Sequence, residues 1–140
     1  MIIKDISEFK RLAWELGRTL QGGECVELRG DIGVGKTTFV QGLAEGLGVT
    51  EKVNSPSYTI ERSYLGRDDL VLNHFDFYRL NNAGVMRQAI VESLAEEKNI
   101  TAIEWADTVE DILPNERLIV EIEYVPEQPE SRKVEYVFSN

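Results

Sequence analysis

The sequence predicts an α/β domain, a mixed β-sheet flanked by helices. Three observations predict it. Helical and strand patterns interleave along the chain. A Gly-rich octapeptide at 30–37 joins an alternating strand pattern to a helical one. Two more alternating segments, 118–125 and 133–138, close the chain. The 140 residues are most simply one domain, 1–140, and 42% hydrophobic with 29% charged residues is an ordinary balance for a chain that buries a core.

The elements follow in order. Residues 5–21 read as an amphipathic helix in which Phe9, Leu12, Ala13, Leu16 and Leu20 share a face. Asp5 with Glu8 resembles a capping box, and Gly22 and Gly23 end the helix. Trp14 falls off the apolar face, so it is either surface or groove lining. Residues 24–28 alternate as a half-buried strand. After the octapeptide, Phe39, Val40, Leu43, Ala44 and Leu47 recur at helical spacing, with Gly48 as a stop. Pro56 keeps Ser55 out of the helical region, so a loop runs into a strand near 58–64. A turn at 66–69 pairs that strand with 70–78 as a hairpin. Residues 82–97 form a helix with Val85, Met86, Ala89, Ile90, Ser93 and Leu94 inward; its acidic end (Glu92, Glu96, Glu97) is a solvated face. A short strand at 100–103 ends on Glu104 and Trp105, and 113–115 is a turn. The two late strands are joined by a polar, Pro-containing loop, 126–132.

The octapeptide carries the chemistry. Gly30-Asp31-Ile32-Gly33-Val34-Gly35-Lys36-Thr37 fits G-x-x-x-x-G-K-[ST], the phosphate-binding P-loop. Gly33 and Gly35 let the backbone turn successive N–H groups onto phosphate oxygens. Lys36 reaches the β- and γ-phosphates, and the Thr37 hydroxyl suits Mg²⁺. The helix starting near Thr37 aims its positive end at the same anion. The chain therefore reads as a single P-loop NTPase domain binding ATP or ADP with Mg²⁺.

Such a loop leaves metal and attacking water to a further acid on a neighbouring strand. Glu104, at a strand end, is one candidate. Asp76 is another: His74, Asp76 and Tyr78 share one face of an aromatic-rich strand, with Phe75 and Phe77 on the other. The weaker alternatives are an exposed strand-end carboxylate for Glu104 and a half-exposed hairpin strand for Asp76. His74, the single histidine, reads as a hydrogen-bonded structural residue. Ser55, Ser57 and Thr59 cluster hydroxyls that either sense a γ-phosphate or simply build a turn. Arg79 is a charge stabiliser or a surface arginine.

Composition excludes other classes. Net charge is −10 and the 15 Lys and Arg are scattered, which argues against this chain gripping nucleic acid by itself. No apolar run approaches the length of a membrane span, and the N-terminus lacks a signal peptide's pattern. Lone Cys25, in the strand before the loop, reads as a buried core thiol. Together these features predict a cytoplasmic protein.

In combination, the P-loop, Asn54-Ser55-Pro56-Ser57-Tyr58-Thr59, His74-Phe75-Asp76-Phe77-Tyr78-Arg79-Leu80, Ile103-Glu104-Trp105 and Leu113-Pro114 resemble the bacterial TsaE (YjeE) family over nearly the whole chain. The resemblance implies an ATPase of tRNA threonylcarbamoyladenosine biosynthesis that acts with the TsaD–TsaB heterodimer, meeting tRNA only through that complex and leaving the transfer reaction to its partners. It also implies that residues 31–38 (Asp31, Ile32, Gly33, Val34, Gly35, Lys36, Thr37 and Thr38) hold the phosphates. Thr37 and Glu104 would serve Mg²⁺, Glu104 directly or through water. Lys36, Asp76 and Glu104 would be the catalytic set, and Thr59 the hydroxyl of a switch-like loop. Trp105 would sit against the nucleotide, with base contacts near Asp5–Glu8 and Arg132. The sequence departs from the family at Ser57, Phe77 and Asp107, and more widely over 81–98. Two rival readings remain at the level of sequence: a nucleotide-set binding module with negligible catalysis, and a small-molecule kinase, which 140 residues without an Arg-rich insertion disfavour.

Overall fold

Strands and helices alternate along the computed structural model, which describes residues 1–53, 61–77 and 84–139. Strand β1 (Ile2–Ile3) leads into α1 (Ile6–Thr19), then β2 (Cys25–Arg29) and α2 (Lys36–Gly46). After these come β3 (Glu61–Leu65), β4 (Val71–Asp76), α3 (Gly84–Ala95), β5 (Asn99–Glu104), β6 (Arg117–Val125) and β7 (Gln128–Ser139). Local sequence accounts for several boundaries. The Asp5 carboxylate accepts from the Glu8 N–H at 2.9 Å, capping α1. Asp68 and Asp69, both at positive φ, shape the short turn that folds β3 onto β4.

The sheet has seven strands in the order β1-β7-β6-β2-β5-β4-β3. The central four, β6, β2, β5 and β4, run parallel, and the hairpins β3–β4 and β6–β7 make the sheet mixed. One face is covered by α1 and α2, which bury Val26, Leu28, Leu72, Ala102, Leu118 and Val120. On the other, α3 and the segment after β5 bury Cys25, Phe75, Phe77, Ile90 and Ile103. The two helices cross closely: a Cβ at Gly17 would lie 2.3 Å from the Leu43 carbonyl oxygen, and one at Gly46 2.2 Å from that of Trp14. Trp14 itself is half exposed beneath the Arg18 guanidinium. Among the described residues no helix is long and apolar enough to cross a membrane.

The structure adds one pairing and alters the expected late loop. The N-terminal residues pair as β1 with β7, at Ile2–Lys133 and Ile3–Arg132. The expected loop over 126–132 is mostly strand. The turn is confined to 126–127, with Glu127 at φ 65°, and β7 starts at Gln128. Pro129 misleads the reading because it falls where the register slips between Val125–Gln128 and Tyr124–Arg132, a bulge that needs no ladder N–H there.

Candidate functional site

The P-loop closes the gap between β2 and α2 at the carboxyl ends of the parallel strands, where open α/β sheets bind ligands. Gly33 (φ 77°) and Gly35 (φ 121°) adopt backbone that side chains disfavour, and Gly35 caps α2. Asp31 and Ile32 stand exposed at its mouth, Val34 is buried beneath it, and Thr38 lies half-buried in the first turn of α2.

Lys36 is only 5% exposed and points back into the loop. Its Nζ donates to the carbonyls of Gly30 (2.5 Å) and Asp31 (2.9 Å) and lies 4.1 Å from the Trp105 ring centroid. Burial lowers its proton affinity, and the charges of Glu104, Asp76 and Asp31 partly offset that. A desolvated cation ringed by carbonyls and acids is well placed to trade those contacts for phosphate oxygens.

The second wall comes from β4 and β5, whose parallel register sets Asp76 beside Glu104. Glu104, 3% exposed, accepts from the Thr37 hydroxyl at 3.2 Å, and its Oε2 lies 2.5 Å from His74 Nε2. His74 and Asp76 share the α2 face of β4, as the alternation predicts; Tyr78 and Arg79 lie outside the described residues, as do Ser55, Ser57 and Thr59. Lys36, Thr37, Asp76, Glu104 and Trp105 are thus brought together.

Trp105 is held at φ 59°, ψ 55°, an uncommon left-handed backbone for a bulky residue. The turns after it are tethered. Arg29 joins buried Glu27 (2.6 Å) to Glu110 (3.1 Å), Arg117 also meets Glu27 (2.8 Å), and Arg87 pairs with Asp111. No sequence motif marks this support.

The first wall is the β6–β7 hairpin. Tyr124 Oη donates to the Ile32 carbonyl (3.1 Å) and Arg132 Nε to that of Val34 (2.7 Å), while the Arg132 guanidinium stacks 4.7 Å from the Tyr124 ring centroid. Arg132 is therefore a brace for the loop as well as a lining residue. Beside it opens a cavity of about 380 Å³ bounded by Asp5, Ile6, Phe9, Thr38, Glu130, Arg132 and the loop backbone. Tyr124 escapes the sequence reading because only the strand register sets it opposite Arg132. Cys25 lies apart from all this; burial pushes its thiol up to about 12, so it is no nucleophile.

The donor set suits Mg²⁺. Thr37, Glu104 and Asp76 offer hard oxygens, and among the described residues no three His, Cys, Asp or Glu side chains cluster to hold a metal by themselves. Mg²⁺ is characteristically held by one or two carboxylates together with substrate phosphates.

Comparison with known proteins shows the family and the fold. The family model described as threonylcarbamoyl adenosine biosynthesis protein TsaE matches residues 3–134. The chain is 37% identical over 115 residues to the Bacillus subtilis protein named tRNA threonylcarbamoyladenosine biosynthesis protein TsaE, an alignment covering 82% of this chain and 71% of that one. Proteins of the same name from Nostoc and Treponema pallidum are 42% and 38% identical, over 66% and 71% of this chain and 58% and 72% of theirs. The crystal structure of YdiB from Bacillus subtilis superposes with a TM-score of 0.79 at 30% identity, covering 100% of this chain and 84% of that one.

Proposed function

This chain belongs to the TsaE family, and from that premise we propose that it is a Mg²⁺-dependent ATPase serving threonylcarbamoyladenosine modification of tRNA through the TsaD–TsaB heterodimer. The observation that carries the reading is the convergence of Lys36, Thr37 and Glu104 on one P-loop. The names of its relatives support the tRNA pathway.

The residues divide the work. The loop amides and the start of α2 bind the triphosphate. Lys36 moves its ammonium from the Gly30 and Asp31 carbonyls to the β- and γ-oxygens. Thr37 and Glu104 would hold Mg²⁺, which would supply neutralisation of the triphosphate charge. Asp76, beside Glu104, orients the attacking water. The base and ribose enter the cavity between Phe9 and Arg132. Thr59 responds to the γ-phosphate. The net charge of −10 supports a protein partner rather than direct contact with tRNA phosphates. Intrinsic turnover is slow, and the partner completes the site.

The test is phosphate release by the purified chain, alone and with TsaD–TsaB, beside Lys36→Ala and Glu104→Ala. Release that rises with the partners and disappears in both variants is the expected result. Binding of ATP without release under any condition would instead favour a nucleotide-set binding module. Release that appears only on adding a small metabolite would identify a kinase.

A further inference from the structure

We infer that His74 is the positioning residue of the site, holding Glu104 in the orientation that Mg²⁺–nucleotide requires without touching phosphate itself. The inference rests on the reading of the site given above.

Strand register places the two residues. His74 pairs with Ala102 and Asp76 with Glu104, so His74 sits one pleat behind Glu104 on the same sheet face. It is fully buried, and its Nε2 lies 2.5 Å from Glu104 Oε2. Thr37 donates to that same oxygen. One carboxylate oxygen is therefore held from two elements, β4 and α2, and Oε1 stands outside both bonds.

A carboxylate offers only acceptors, so the contact needs the imidazole proton on Nε2. The other nitrogen leads to the same assignment. Nδ1 is buried and meets no polar partner among the described residues. A leftover lone pair there costs less than a leftover N–H. The tautomer that satisfies Glu104 is thus also the one that Nδ1 tolerates. A glutamate fixed this way loses no rotamer freedom when its ligand arrives, and outer partners of metal-binding groups typically matter 10–100-fold for metal affinity.

The test compares His74→Gln, whose amide nitrogen reaches about as far as imidazole Nε2, with His74→Asn, which falls short. Affinity for a non-hydrolysable ATP analogue is measured by calorimetry in Mg²⁺ and in EDTA. The expected result is a magnesium-dependent gain kept within about twofold by Gln and cut about tenfold by Asn, with EDTA affinity unchanged in both. An Asn variant that keeps the gain, or variants that lose EDTA affinity alike, would overturn the inference. A wild-type chain that binds no nucleotide would overturn the functional reading itself, a distinguishable failure. Long-range proton–nitrogen NMR correlations of the wild-type imidazole supply a second measurement that needs no variant. A proton on Nε2 supports the inference, and a proton on Nδ1 alone overturns it.

Discussion

The P-loop stands between two walls of opposite character. On the β6–β7 side, Tyr124 and Arg132 grip backbone carbonyls of the loop, and neither bond has another side chain at its far end. On the β4–β5 side, side chain meets side chain: Thr37 to Glu104, Glu104 to His74, and Lys36 against Trp105. Bonds to backbone fix a shape. Bonds between titratable or hydroxyl groups can be exchanged for a ligand. In the proposed function, the first wall builds the cradle and the second carries the chemistry.

Damage to the two walls should differ in kind. The largest effect is expected from Lys36→Met, which should lower phosphate release by at least ~100-fold. Because burial disfavours the Lys36 charge, the same change should leave thermal stability equal or slightly higher. A calorimetric melt beside the rate assay checks both, and a strongly destabilised variant would show that Lys36 is a brace after all.

Next comes Glu104→Gln, which keeps the size of the side chain and removes its charge. It should lower kcat about 10–100-fold with little change in magnesium-free nucleotide affinity. Arg132→Met strikes the other wall. It should raise KM for ATP about tenfold, leave kcat near wild type, and cost about 1–2 kcal/mol in urea unfolding. Loss of kcat rather than affinity would erase the contrast between the walls. The smallest effect belongs to Tyr124→Phe, which deletes one exposed hydrogen bond and should cost about 0.5 kcal/mol.

The comparison also separates what the chain spells out locally from what it does not. The P-loop was legible because its geometry is local: the conformations at Gly33 and Gly35 require those residues at those places. So was the start of α1, where Asp5 and Glu8 are three residues apart. The β3–β4 hairpin and both flanking helices were legible from periodicity and turn residues. Glu104 could be named as an acid at a strand end and Asp76 as one on a strand face, but the two could not be seen as neighbours. Pro129 and the polar run around it concealed β7, because a bulge looks like a loop until its partner strand is known.

Sequence by itself therefore determined the fold class, the P-loop motif and the candidate site residues. Tertiary structure alone decided which of them meet. His74 and Glu104 are 30 residues apart, Tyr124 and Ile32 92, Arg132 and Val34 98. Parallel pairing and a bulged register leave little local trace, since a strand's alternation is the same whichever neighbour it takes. That choice is made by the burial of both sheet faces against α1, α2 and α3, a property of the whole chain and of no single stretch of it.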